Sequence, residues 1–85
     1  MNRREILLQA ADIIEGDRQS DYGSWADNAR DIAAMWSVIL GHEVKPHHVA
    51  LCMAALKMVR LKRDGAHIDS WVDLCGYGAL GGEDD

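Results

Sequence analysis

The chain is 85 residues long, 48% hydrophobic and 27% charged, with a formal net charge of −5 and a pI near 5.2. That balance argues against a nucleic-acid polymer or a membrane surface as partner, since both call for basic surface, and the length points to one domain spanning 1–85. So short a chain buries only a modest share of its surface, so this much apolar content leads us to expect a homodimer or higher homo-oligomer.

The first helix is expected over 4–15, where Ile6, Leu7, Ala10, Ile13 and Ile14 recur at helical spacing. Gly16 is placed to stop it, glycine being cheap in the left-handed conformation at a helix end. No signal peptide is expected, because the basic start at Asn2-Arg3-Arg4 leads into an amphipathic run reaching Asp12 and Glu15. No apolar run approaches the ~20 residues of a membrane span. Gly16-Asp17-Arg18-Gln19-Ser20-Asp21-Tyr22-Gly23 is a loop of turn formers. Its Arg18 and Tyr22 have the chemistry to hold a ligand, although aspartates in such loops also bond their own backbone.

Ser24 caps a second helix that runs to Gly41, with Asp27 at its third position. Trp25, Ala29, Ile32, Trp36 and Ile39 form its seam, flanked by Asn28 and Asp31. Asp27 and Asp31 read equally as a solvated face. Pro46 opens a third helix, where its missing N–H costs nothing, and this helix runs to about Arg63. It is apolar almost all round, which predicts a central helix or one in a subunit interface. Lys57 interrupts the run, so its ammonium is expected to point inward to a carboxylate at Asp31, Asp69 or Asp73; Arg60 follows on the neighbouring face. Cys52 and Cys75 lack metal-ligand spacing and read as reduced, packed thiols.

The fourth helix is expected from about Ser70 to Leu80, with Asp69 as its cap and Asp73 one turn further on the same face. His67 precedes it as a weak candidate ligand or base. Gly76 and Gly78 inside this helix cost ~1 kcal/mol each against alanine, which close approach of a backbone or ligand would offset. Residues 81–85 read as an acidic tail. The fold class expected is therefore all-α, four helices packed as a bundle and completed by self-association.

Four carboxylates on two helices, Asp27, Asp31, Asp69 and Asp73, stand with Lys57 and Arg60 on a third. Hard cations such as Mg²⁺ prefer oxygen ligands and can bridge phosphate oxygens for phosphoanhydride cleavage. Lys57, Arg60 or Arg18 would neutralise phosphate charge, and Tyr22, Tyr77 or Trp71 would stack on a base.

The run from Gly16 to Gly23 ahead of a Trp-bearing helix, the Ala/Met-rich helix with Lys57 and Arg60, and Asp69-Ser70-Trp71-x-Asp73-Leu74-x-Gly76-Tyr77 resemble a group of small phage and prophage proteins of unassigned function, over residues 5–83. These in turn resemble the MazG-like all-α nucleoside triphosphate pyrophosphohydrolases. The resemblance implies a helical oligomer in the cytoplasm of a bacterial host, phage- or prophage-encoded, with a nucleotide substrate, Mg²⁺ and release of pyrophosphate. That family carries Glu-x-x-Glu on one helix and Glu-x-x-Asp on another. Here the two read Asn28-x-x-Asp31 and Ser70-x-x-Asp73. Asp73 matches in type and place, Asp31 in charge, and Asp27 and Asp69 each stand one residue before a substituted position. The expected site is therefore Asp73, Asp69 and Lys57 as catalytic groups; Arg18, Tyr22, Lys57, Arg60 and Tyr77 around the substrate; and Asp27, Asp31, Asp69 and Asp73 around Mg²⁺. With two of the four carboxylates replaced, by Asn28 and Ser70, three readings stay open: a pyrophosphohydrolase, a non-catalytic protein that sequesters a host nucleotide signal or metabolite, and a structural module whose Lys57 and Arg60 only pair with aspartates.

Overall fold

The computed structural model describes residues 1–16 and 24–83. Among these it is all-helical, with four helices: α1 Arg3–Glu15, α2 Trp25–Leu40, α3 Pro46–Arg63 and α4 Ile68–Gly82. The expected loop at 17–23, with Arg18 and Tyr22, lies outside the described residues.

The ends of the helices show why the chain breaks where it does. Asn2 Oδ1 accepts from Glu5 N at 2.9 Å, and the Glu5 carboxylate accepts from Asn2 N in return, a capping box for α1. Gly16 ends α1 as expected, but in an extended conformation (φ −91°, ψ −160°) rather than the left-handed one. Its reason is steric, since a Cβ there would lie 2.8 Å from the Asp12 carbonyl oxygen. Ser24 Oγ accepts from Asp27 N at 3.2 Å to start α2, and Gly41 closes it in the left-handed region at φ 75°. Ser37 then clamps the turn into α3: its hydroxyl donates to Ala33 O at 2.7 Å and accepts from Val44 N at 2.8 Å.

The start of α4 differs from the sequence expectation. His67 is the cap, its Nδ1 accepting from Ser70 N at 3.2 Å, and Asp69 sits exposed in the first turn. The cause is the turn before it. Asp64 Oδ1 accepts from Ala66 N and Asp64 O from His67 N, at 3.1 and 3.2 Å, which ends the irregular stretch early. At the other end, α4 continues through Gly81 and Gly82, where the sequence predicted a tail.

The principal contacts form a row: α1 on α4, α4 on α3, α3 on α2. Small residues set the spacing. A Cβ at Gly76 would meet Ile14 Cγ2 at 3.1 Å, and one at Gly81 would meet Ala50 Cβ at 2.8 Å. The buried apolar core is mostly alanine (Ala10, Ala29, Ala33, Ala50 and Ala54) with Val49, Leu61 and Val72. Such a core removes little apolar surface from water. The chain exposes 6288 Å², whereas a compact monomer of its mass exposes about 5,000 Å². Its radius of gyration is 13.7 Å, against about 12 Å for a compact chain of this length. Central α3 contacts two helices, as its composition required, yet its outer side remains exposed and apolar. Cys52 lies on that side, so it is an exposed thiol rather than the packed one expected, whereas Cys75 is half-buried. Among the described residues no helix is long and apolar enough to cross a membrane.

Candidate functional site

Lys57 and Asp73 meet across the α3–α4 seam, Nζ to Oδ2 at 3.1 Å, with each side chain about 30% exposed. A lysine in the middle of an apolar helix cannot leave its ammonium in hydrocarbon. The α4 register puts Asp73 opposite, so the inward orientation expected for Lys57 is found. Arg60 is exposed one turn along.

The four carboxylates expected around Mg²⁺ are dispersed. Asp27 pairs with Arg30 on the exposed start of α2. Its carboxyl is held below the ordinary value of 3.8 by its hydrogen bond with Ser24 and then by the bond and charge of Arg30. Asp31 and Asp69 are exposed, and Asp73 is engaged with Lys57. Among the described residues no three His, Cys, Asp or Glu side chains come together in a group that would hold a metal ion. His67, the other candidate ligand, is taken up in capping α4 and lies 2.7 Å from Ser70 Oγ.

A cleft of about 350 Å³ lies elsewhere, where the starts of α2 and α3 meet the end of α4. Trp25 forms one wall and Leu80 another, and Lys45, His47 and Glu83 bring the charge and polarity. Tyr77 braces Trp25 from behind, ring centroids 5.9 Å apart and planes tilted by 56°, a geometry aromatic pairs favour. The start of α3 differs chemically from the other three. Asn2, Ser24 and His67 each give a side-chain acceptor to their helix, whereas Lys45, at the cap position of α3, gives none, and the side chain bonded there is that of His48, whose Nδ1 accepts from Lys45 N at 3.0 Å. An ammonium has donors only. The positive end of the α3 dipole and the Lys45 charge thus share one rim of the cleft. Lys57 lies about 15 Å further along α3 at 1.5 Å per residue, so it does not belong to this cleft.

Among the described residues expected around a substrate, Lys57, Arg60 and Tyr77, it is Tyr77 that reaches the edge of the cleft, through its ring contact with Trp25. Sequence reasoning missed Lys45, His47, Trp25 and Glu83 as a group. One signal was present: a lysine immediately before Pro46 announces a positive charge at a helix start.

Two curated relatives place the chain. It is 40% identical over 76 residues to the Gene 55 protein of Mycobacterium phage L5, covering 88% of this chain and 49% of that protein. It is 39% identical over 72 residues to the Gene 55 protein of Mycobacterium phage D29, covering 85% and 48%. The chain thus spans about half the length of these relatives. No solved structure matches. The family model described as Domain of unknown function (DUF6378) matches residues 5–84, nearly the whole chain, and the protein accordingly belongs to that family.

Proposed function

We propose that the protein binds a small phosphorylated molecule of nucleotide type in the cleft between the starts of α2 and α3 and the end of α4. The observation that carries this reading is the Lys45 charge at the positive end of the α3 dipole, on the rim of a cleft walled by Trp25. The His47 N–H and the Lys45 ammonium are the donors for an anion's oxygens, since Pro46 has no N–H and those of Lys45 and His48 are taken. Trp25 offers a ring face for a base, and Glu83 accepts hydroxyls from a sugar. The volume suits a ligand at the small end of the usual ~300–1,000 Å³ range.

Binding is proposed here without hydrolysis. The enzymatic version, with Mg²⁺ on Asp31, Asp69 and Asp73 and with Lys57 and Arg60 on phosphate, finds no assembled ligand set among the described residues. A protein that only holds its ligand fits the second of the three readings: a host nucleotide signal or metabolite kept from its users, in keeping with relatives encoded by phages.

The test is a panel of nucleoside mono-, di- and triphosphates and inorganic pyrophosphate, each with and without Mg²⁺, followed by thermal shift and pyrophosphate release. A ligand that binds only the folded state raises the melting temperature by mass action. We expect at least one nucleotide to raise it without Mg²⁺, and Lys45→Ala and Trp25→Ala each to weaken binding about tenfold or more. A panel that moves nothing, or a rise unchanged in Lys45→Ala, defeats the proposal. Pyrophosphate release that needs Mg²⁺ and Asp73 would restore the hydrolase reading.

A further inference from the structure

We infer that the ligand of the cleft carries one phosphate group, and that a di- or triphosphate is disfavoured there by charge; this rests on the nucleotide reading of the cleft and narrows it. Among the described residues the α3 rim offers an anion two donors, the His47 N–H and the Lys45 ammonium. The oxygens of a single phosphate group take up both. A triphosphate is held by a different kind of site, in which a run of backbone N–H groups, a lysine and Mg²⁺ share its charge. The start of α3 has no such run. Pro46 lacks an N–H, and the N–H groups of Lys45 and His48 are bonded within the turn, to His48 Nδ1 at 3.0 Å and to Lys45 O at 2.9 Å.

The opposite wall is negative. α4 ends on the cleft at Leu80 and Gly81, so the negative end of its dipole lies beside the bound molecule. No basic residue lies in its last turn to offset that end. At the ends of α1, α2 and α3 the cap residues Gly16, Gly41 and Asp64 each return a backbone N–H bond to their helix, whereas Glu83 at the end of α4 makes none among the described residues. Glu83 instead brings a carboxylate to the lining, and among the described residues it forms no ion pair with Lys45. The flanking sequence adds no net positive charge: Asp84 and Asp85 follow Glu83, and Asp17, Arg18 and Asp21 precede α2.

A ligand matched to these two poles is itself two-ended. Its phosphate lies at the α3 rim, and its hydroxyl or amino donors lie toward the end of α4. A nucleoside monophosphate has that form. Each further phosphate adds negative charge and no donor. It also lengthens the run of anionic groups in a space of about 350 Å³, near the small end of the ligand-pocket range. Lys45 is the one lysine or arginine on the lining among the described residues, and Glu83 stands against it. The added charge therefore meets repulsion without gaining a partner.

Titration calorimetry of the full chain tests this, with the mono-, di- and triphosphates of the common ribonucleosides at low salt, in EDTA and again in Mg²⁺. For any base that binds, the monophosphate should be tighter than the triphosphate by about tenfold or more, with the diphosphate between. Glu83 is exposed, and Glu83→Gln removes its charge while keeping an acceptor oxygen. The gap should then shrink to about threefold or less, as it should for the parent protein at about 0.5 M salt, where charges are screened. A triphosphate that binds as tightly as its monophosphate, in either medium, overturns the inference and leaves the cleft reading standing. A gap that neither Glu83→Gln nor salt narrows overturns it as well. If no compound of any series binds, the nucleotide reading fails and the inference falls with it.

Discussion

At the scale of single residues, Lys57 and Asp73 decide between two roles. Each is about one-third exposed, so the pair lies between a surface bridge of ~0–1 kcal/mol and a deeply buried one, whose breaking costs ~3–5 kcal/mol. We expect Lys57→Met to destabilise by about 1–2 kcal/mol in urea denaturation and the double variant Lys57→Met with Asp73→Leu to recover most of it. Nucleotide affinity should be unchanged in both. A loss of affinity with the fold intact would instead make Lys57 a phosphate contact, as its position in the sequence suggested. His67 is the second test. His67→Ala removes the cap of α4 and should cost ~1 kcal/mol, whereas Asp69→Asn loses only an exposed charge near a helix dipole, worth ~0.3–1 kcal/mol. Asp27 gives a pH effect of definite sign. Its carboxyl is depressed from 3.8 by Ser24 first and Arg30 second, so its contribution is present above that value and fades as pH falls through the depressed one. The first turn of α2 should loosen in acid below the usual carboxylate range, read by amide exchange at Asp27 and Asn28. Asp27→Asn should abolish that dependence.

At the scale of helices, the glycines of α4 predict opposite outcomes. A methyl added at Gly78 would have nothing within 4 Å, so Gly78→Ala should stabilise by up to about 1 kcal/mol through helix propensity alone. One added at Gly81 would lie 2.8 Å from Ala50 Cβ, and Gly81→Ala should destabilise by about 1–3 kcal/mol through overpacking; thermal melts of the pair check the difference in sign. Element type was legible in the sequence because periodicity and caps are local: Ser24, Gly41, Pro46 and Gly65 marked where helices start and stop. Contacts between helices were legible only where composition forced them, as for Lys57 in an apolar run. The cleft was not, because it joins residues 25, 45–47 and 80–83, which only the row of helices brings together. The cap of α4 was misplaced because two acceptors, His67 and Asp69, stood two residues apart and the turn ahead of them chose between them. The comparison with Glu-x-x-Glu and Glu-x-x-Asp picked out Asp31 and Asp73 by spacing, and spacing along separate helices does not fix which faces meet.

At the scale of the whole molecule, the row α1–α4–α3–α2 has a consequence for how the chain folds. The pairs α2–α3 and α3–α4 are neighbours in sequence and close short loops. By contrast, α1 finds its chief mate in α4, at the far end. Loop closure over that separation must be met before any contact rewards it. On a ribosome α1 is made before the helix it docks on, and it waits with Ala10 and Ile14 unmatched until α4 has emerged. The rate constants should reflect this order. Ile14→Ala, which loosens the contact at Gly76, should quicken unfolding while leaving the folding rate nearly unchanged, since a late contact is absent from the transition state. Stopped-flow mixing would show it as a shift of the unfolding limb alone, and amides of α1 should exchange earlier than those of α3. A helix that joins last is also the one a co-translational partner would meet undocked, which leaves α1 exposed to wrong partners during synthesis.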